Sequence, residues 1–457
     1  MTNSPRRRLV VSCALLGITS SMAAIGDGEL SQSTFQTIGQ SGNNSKIFPL
    51  KVDSGKRYLV DATKRPFLIH GDSAWSLMVQ LSREDADYYL SDRRGKGFNT
   101  ILVNLIEHEF AVTPPKNYYG EAPFITPGDF ATPNERYFEH VDQLIGRAAE
   151  MGFLVLLAPA YMGFEGGREG WYQEMRANGP VKLRNYGRYV AKLFRKHANI
   201  LWVHGGDFTP PETVLLRALV SGILDEDTRS LNTFHGSRGT SATHFLGAAE
   251  HWLQLNSIYT GATDVVSEAL HEYSHSKQPY FLIEARYEGE GADAATVRLQ
   301  AYQAVLSGGC GQVMGNLPIW RFGEGWRKAL NSDGAQTLVY LRILMERYAW
   351  SKLRPDLNNA FLVDGVHSAS DRAVAAIAHD GSVGLVYMPS ARRVTVNLDQ
   401  LAGPKLSVHW YDPTTGATSP HSKPSFSASG SSNFVPNGRN ASGDSDWVLV
   451  LESIDGY

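Results

Sequence analysis

From residue 67 onward the chain alternates two textures. Short, continuously apolar runs occupy 67–70, 100–105, 153–158, 200–203, 231–234, 252–259, 280–283 and 312–314. Segments with apolar residues at helical spacing lie between them. Ser82 predicts an N-cap with Asp85 at the N3 position, for a helix to about Arg94 that Gly97 stops. Asn134 starts a second helix, whose Tyr137, Val141, Leu144, Ile145 and Ala148 share one face and which Gly152 ends. Residues 181–197, 212–227, 265–276, 293–306 and 335–348 complete the helical series. Runs that are apolar throughout, rather than alternating, fit parallel strands covered on both faces. Eight strand-then-helix units predict a closed α/β architecture, a (β/α)8 TIM barrel, over residues 47–355. A doubly wound open sheet is the competitor, but no Gly-x-Gly-x-x-Gly turn follows the first strand.

Beyond Arg354-Pro355 the pattern changes. Runs at 374–378, 383–387, 394–398, 407–411 and 447–451 are short and β-rich, with Gly, Pro, Asn and Asp between them and no helical period. They predict a small antiparallel β-sandwich domain over 356–457. At the other end, Arg6, Arg7 and Arg8 precede an apolar run at 9–18, and Ser21-Met22-Ala23 offers small residues where a signal peptidase reads. The expectation is a signal peptide over 1–23, export to the periplasm or outside the cell, and a Gly-, Ser-, Gln- and Asn-rich linker over 24–46. No other apolar run approaches the roughly 20 residues that span a membrane.

Composition narrows the function. Lys and Arg total 43 against 46 Asp and Glu, a net charge of −3, so there is no basic field for nucleic acid. Two cysteines, one of them in the signal region, exclude a disulfide framework and a cysteine-rich zinc site. The 19 Phe, 20 Tyr and 9 Trp supply flat apolar faces that suit sugar rings as well as cores.

Barrel chemistry sits where strands end and loops begin. Those positions hold His70, Asp72 and Trp75; Asn104, Glu107 and His108; Tyr161; His204 and Asp207; His235; Asn256 and Tyr259; Glu284, Arg286, Tyr287 and Glu288; Asn316 and Trp320. Cleaving a glycosidic bond needs two carboxyl groups, one to protonate the leaving oxygen and one to attack the anomeric carbon or activate water. Asp207 and Glu284 are the natural pair, because the fourth and seventh strands face each other across a barrel mouth. Gly205-Gly206 before Asp207 allows close backbone approach. Expected substrate contacts are Asp72, Trp75, Asn104, Glu107, Tyr161, His204, His235, Asn256, Tyr287 and Trp320. Structural roles compete: Asp207 as a helix cap after Pro210-Pro211, Glu284 as an ion-pair partner of Arg286, Asp72 as an anchor of the first loop, and the aromatics as core. No metal or organic cofactor is implied for this chemistry.

A second motif points elsewhere. His271-Glu272-Tyr273-Ser274-His275 matches His-Glu-x-x-His, in which two histidines one helical turn apart hold zinc and the glutamate serves as base. It lies just before Pro279 and the seventh strand, at the bottom of the expected barrel, and no downstream Gly-x-x-His extends it. Zinc proteolysis and a non-catalytic carbohydrate-binding protein on a hydrolase scaffold remain the alternatives to a glycosidase.

Gly71-Asp72-Ser73-Ala74-Trp75, Tyr89-Leu90, Asp92-Arg93 and Lys96-Gly97-Phe98-Asn99 resemble the opening of the apiosidase-like glycoside hydrolases, and Trp202 to Asp207 and Ile283-Glu284 with Tyr287-Glu288 resemble further motifs of that family. Tyr387-Met388-Pro389, Trp410-Tyr411-Asp412-Pro413, Gly416 and Asp446-Trp447-Val448-Leu449 are similar to the domain that usually follows, which carries a collagen-binding label. The resemblance implies a (β/α)8 barrel followed by a β-sandwich. It implies removal of terminal apiose from side chains of the pectin rhamnogalacturonan II, and catalytic carboxylates at Asp207 and Glu284.

Overall fold

The structure, a computed structural model, describes residues 47–247, 250–423 and 425–454. The expected signal peptide and linker lie outside the described residues. Eight strands form one parallel sheet: β1 (Ile69–Ser73), β2 (Thr100–Asn104), β3 (Leu154–Ala158), β4 (Ile200–Gly205), β5 (Leu231–His235), β6 (Asn256–Tyr259), β7 (Tyr280–Glu284) and β8 (Gly311–Met314). They pair in the order β5-β4-β3-β2-β1-β8-β7-β6. The ends of that order meet as well. Backbone N–H groups of Gln254 and Leu255 donate to the Asn232 carbonyl at 3.3 and 3.4 Å, and the Ser257 hydroxyl donates to the Phe234 carbonyl. The sheet is therefore a nearly closed barrel.

Parity within the strands explains the unbroken apolar runs. Leu102, Leu154, Leu156, Leu201, Val203, Phe281 and Ile283 belong to one buried cluster, which fills the barrel. Their neighbours Ile101, Val103, Val155, Leu157, Ile200 and Trp202 belong to another, shared with the surrounding helices. Because successive side chains point to opposite faces, a strand buried on both needs an apolar residue at every position.

The longer helices are α1 (Arg83–Gly95), α2 (Glu135–Glu150), α3 (Tyr172–Phe194), α4 (Val214–Glu226), α5 (Val265–His275), α6 (Ala294–Leu306) and α7 (Asp333–Arg347). The Ser82 hydroxyl accepts the Asp85 N–H at 3.1 Å, and the Asn134 side chain accepts that of Arg136 at 3.2 Å, so both caps form where the pattern put them. Three details differ from the pattern. Helix α3 begins at Tyr172, and Gly179 (φ 72°) interrupts it before Pro180. Proline cannot sit inside a helix but can start one, so only the second half carries a readable period. Strand β5 is followed by no more than the short helix Ala242–Leu246. Strand β6 starts at Asn256, because Trp252 and Leu253 are buried in a turn, and burial alone does not make a strand. No helix among the described residues is long and apolar enough to cross a membrane.

The C-terminal region is β-rich. One sheet joins Leu353–Pro355, Val374–Ala378, Val383–Met388, Trp447–Ser453, Lys405–Tyr411 and Thr418–Pro420, and a second joins Leu362–Asp364, Val394–Asn397 and Ser431–Phe434. Residues from both, among them Val386, Leu449, Val394, Val396 and Phe434, meet in one core. Helix α6 lies between this region and the barrel and is buried from Val297 to Leu306. Its Arg298, 1 % exposed, donates through Nε and Nη2 to both Asp446 oxygens at 2.7 and 2.8 Å. Tyr387 donates to the same carboxylate at 3.0 Å, and its ring stacks on Tyr302 of α6 with centroids 4.6 Å apart. Removing Asp446 breaks this buried bidentate pair and leaves Arg298 only the part-exposed Asp444, which its Nη2 also reaches at 2.8 Å. Asp446→Ala should therefore lower unfolding free energy by about 3–5 kcal/mol in urea titrations. A loss below about 1 kcal/mol would mean the pair is not needed to hold the two regions together.

Candidate active site

The turn after β4 is unusual in its backbone. Gly205, Gly206 and Asp207 follow one another at φ 90°, 119° and 49°. A Cβ on Gly206 would lie 2.2 Å from the Tyr161 ring, so only glycine fits there. Asp207 takes the left-handed conformation without that freedom, a strain that persists only where neighbours hold it. Strand β5 does so: the His235 carbonyl accepts the Gly206 N–H at 2.7 Å, and His235 Nδ1 accepts the Asp207 N–H at 2.9 Å. The Asp207 carboxylate accepts the Tyr161 hydroxyl on Oδ2 at 2.8 Å, while Oδ1 has no hydrogen-bond partner. Asp207 is not the cap of α4, which starts later, after Thr213.

Glu284 ends β7. Inward parity on this strand belongs to Phe281 and Ile283, which would turn Glu284 outward. A register shift against β6 between Leu282 and Glu284 breaks the alternation and turns the carboxyl into the mouth. Its Oε2 lies 2.8 Å from His235 Nε2. Since His235 Nδ1 accepts a backbone N–H, the ring hydrogen sits on Nε2 and is donated to Glu284. Burial pushes the Glu284 carboxyl above its usual range, Asp207 adds to this, and hydrogen bonds from His235 and Tyr287 pull it back. For His235, burial acts downward but the two carboxylates outweigh it. The Asp207 N–H facing Nδ1 resists a second proton there, so the geometry favours the neutral ring. Glu284 makes no ion pair with Arg286, which reaches the Gly291 carbonyl instead.

Asp207, His235 and Glu284 bring one ligand-type atom each within 4.8 Å of one another. They do not fit a divalent cation. A metal on His235 Nε2 would force hydrogen onto Nδ1, against the Asp207 N–H.

The carboxyls open into a cavity of about 800 Å³, within the usual range for ligand sites. Trp75, Tyr161, Tyr287 and Trp320 line it alongside Asp207 and Glu284. Trp75 Nε1 donates to the Tyr287 hydroxyl at 2.9 Å, and the Ser73 hydroxyl lies 3.1 Å from that oxygen, so these aromatics are held from behind. Tyr259 also lines the cavity and stacks on His235 with centroids 5.1 Å apart. Phe110, Arg168, Arg238 and Arg321 reach it from loops and are absent from the sequence reading. Nothing in their local sequence separates them from ordinary surface residues.

The other expected contacts lie elsewhere. Asp72, fully buried, accepts the Tyr89 hydroxyl at 2.7 Å and Arg93 Nε at 2.6 Å, anchoring α1 rather than facing sugar. His204 meets the Asn232 side chain at 2.9 Å and the edge of Trp252. Asn256 donates to Glu272 at 2.6 Å and accepts the Thr243 N–H at 3.1 Å. All three share the outward parity of their strands, opposite to Ser73, Gly205 and Tyr259. Asn104 and Glu107 are buried and do not line the cavity. Glu107 accepts the Ala111 N–H and so pins the loop that carries Phe110. Glu288 accepts from Asn316, Ser332 and the Gly334 N–H, a structural tie between loops. The zinc-protease motif is dismantled. Glu272 accepts from Ser241 at 2.6 Å, Thr243 at 2.7 Å and Asn256, which leaves it no role as a base.

An (β/α)8 barrel whose mouth presents facing carboxylates among aromatic side chains defines a glycoside hydrolase. Residues 53–352 match the family described as "Apiosidase-like, catalytic domain", and the chain belongs to that family. Residues 356–452 match the "Putative collagen-binding domain of a collagenase". Among solved structures, the chain is similar to a protein described as a glycoside hydrolase, 23% identical with a TM-score of 0.78 over 91% of this chain and 98% of that one. It is also similar to a glycoside hydrolase family 5 protein from Bacteroides vulgatus ATCC 8482, 22% identical with a TM-score of 0.78 over 90% and 94%. At these identities the likeness establishes the fold. No curated protein matches the chain.

Burial pushes the Glu107 carboxyl up to about 7. Between the ordinary glutamate range and that value, the folded protein keeps a proton that the unfolded chain releases. Glu107 therefore lowers stability as pH rises through this window and has no effect below it. Glu107→Gln, which keeps an acceptor for Ala111, should stabilise the protein at pH 8 by up to about 3 kcal/mol and change little at pH 4. Urea titrations at the two pH values measure this, and equal effects at both would contradict the assignment.

Proposed function

We propose that the protein is an exported, retaining glycoside hydrolase, with Asp207 as general acid/base and Glu284 as nucleophile. One observation carries the reading: Asp207 and Glu284 approach within 4.8 Å across the mouth, with His235 bonded to both. Retaining enzymes hold their carboxyls about 5–5.5 Å apart, whereas inverting ones leave about 6.5–9.5 Å for a water.

The hydrogen bonds support this division of roles. The His235 Nε2–H faces Glu284 Oε2 at 2.8 Å and favours negative charge on that oxygen, which suits Glu284 to attack. Asp207 Oδ1, without a partner, is the oxygen we assign to the acid's proton. Glu284 attacks the anomeric carbon as that proton passes to the leaving glycosidic oxygen, giving a glycosyl ester on Glu284 and a free alcohol. The Asp207 carboxylate then takes a proton from water, the water oxygen bonds to the anomeric carbon, and the ester breaks. Tyr161 keeps Asp207 oriented through Oδ2 in both halves. Family membership supports apiose on plant pectin side chains as the first substrate to test, and the basic-then-apolar start of the chain supports export.

Wild type and Glu284→Gln are incubated with rhamnogalacturonan II oligosaccharides and a panel of plant and bacterial glycans. Release by wild type is expected, with turnover reduced by about 10³-fold or more in Glu284→Gln and folding intact. The product anomer, read by NMR before mutarotation, should be retained; an inverted anomer would refute the nucleophile assignment. Sugar binding without release across the panel would favour the non-catalytic binding protein.

A further inference from the structure

The His-Glu-x-x-His motif leaves two histidines that the proposed reaction does not use. His271 and His275 lie on α5 one turn apart, and both are exposed. Their rings stack with centroids 4.1 Å and planes 24° apart. His275 Nδ1 lies 2.9 Å from the His271 carbonyl. A carbonyl oxygen can only accept, so Nδ1 carries the hydrogen and Nε2 keeps its lone pair. An imidazole that donates its far N–H to a carbonyl is the arrangement that orients metal-ligating histidines. Glu268, half-buried, stands three residues before His271 on the same helix, so it shares the face that carries both imidazoles. Asp264 and Glu272 add negative charge, and His244 is the other imidazole near Glu268.

We propose that His271 and His275 chelate one divalent transition-metal ion, with Glu268 supplying negative charge at its rim. Nitrogens that each sit about 2.0–2.1 Å from one zinc must come within roughly 3–3.5 Å of each other. With centroids 4.1 Å apart the rings are near enough for this, and they turn out of their stack so that both ring planes contain the ion. Imidazole nitrogen selects zinc, nickel or copper over magnesium and calcium. Water completes the coordination shell. With Glu272 turned into its bonds to Ser241, Thr243 and Asn256, no base faces that water, so the site binds without hydrolysing. The ion clamps the last turn of α5, which runs through Pro279 into β7, at the end of that strand remote from Glu284.

Untagged full-length protein is titrated with zinc and with nickel by calorimetry, and its thermal midpoint is followed with and without the ions. The expected result is one ion per chain and a raised midpoint. His271→Ala and His275→Ala should each weaken binding by at least about tenfold and abolish the midpoint shift, without changing folding or sugar release. Glu284→Gln should bind the metal like wild type, which separates this site from the Asp207–His235–Glu284 set. Equal binding by wild type and the double variant His271→Ala/His275→Ala would overturn the proposal, as would the absence of binding at millimolar zinc.

Discussion

The site depends on a single imidazole. His235 accepts the Asp207 backbone N–H on one nitrogen and donates to the Glu284 carboxylate from the other. One ring thereby fixes the left-handed turn after β4, the tautomer that faces β7, and the distance between two carboxyls on separate strands. Because that ring is fully buried and Tyr259 stacks on it, it has little freedom to leave this geometry. The Gly205-Gly206 turn brings the Asp207 N–H to His235, the bulge before Glu284 brings its carboxyl there, and the Tyr161 hydroxyl orients the Asp207 carboxylate beside them.

The same constraint places strain and charge at the mouth of the cavity. Asp207 sits in a backbone conformation that a side chain disfavours, and Glu284 is buried beside a second carboxyl. Neither feature stabilises a fold, and both are tolerated because the surrounding barrel is packed on its two faces by separate apolar clusters. The C-terminal sheets contribute from the outside. They cover α6, whose Arg298 would otherwise expose a cation at the back of the barrel between β7 and β8.

Much of this was legible in the chain itself. Continuous apolar runs can satisfy only strands covered on both sides, so the barrel followed from pattern, and the caps at Ser82 and Asn134 followed from local hydrogen-bonding chemistry. Asp207 and Glu284 could be picked out because their type and their place at strand ends coincide. The His-Glu-x-x-His motif shows the opposite case: its spacing is right, but Glu272 is drawn into a buried network with Ser241, Thr243 and Asn256 that no local pattern announces.

What the tertiary structure alone decided is direction. Asp72, His204 and Asn256 stand at strand ends as Asp207 and Glu284 do, yet outward parity gives them to helices and loops. Glu284 would have shared that fate but for a one-residue irregularity against β6. The arginines and Phe110 at the mouth arrive from loops whose course depends on contacts distant in sequence. Periodicity and residue type are local properties, and the sequence by itself determined most of the elements, the barrel and which carboxyl residues stand at strand ends. Which face a polar strand end presents depends on register with a neighbouring strand, and register exists only once the sheet has closed.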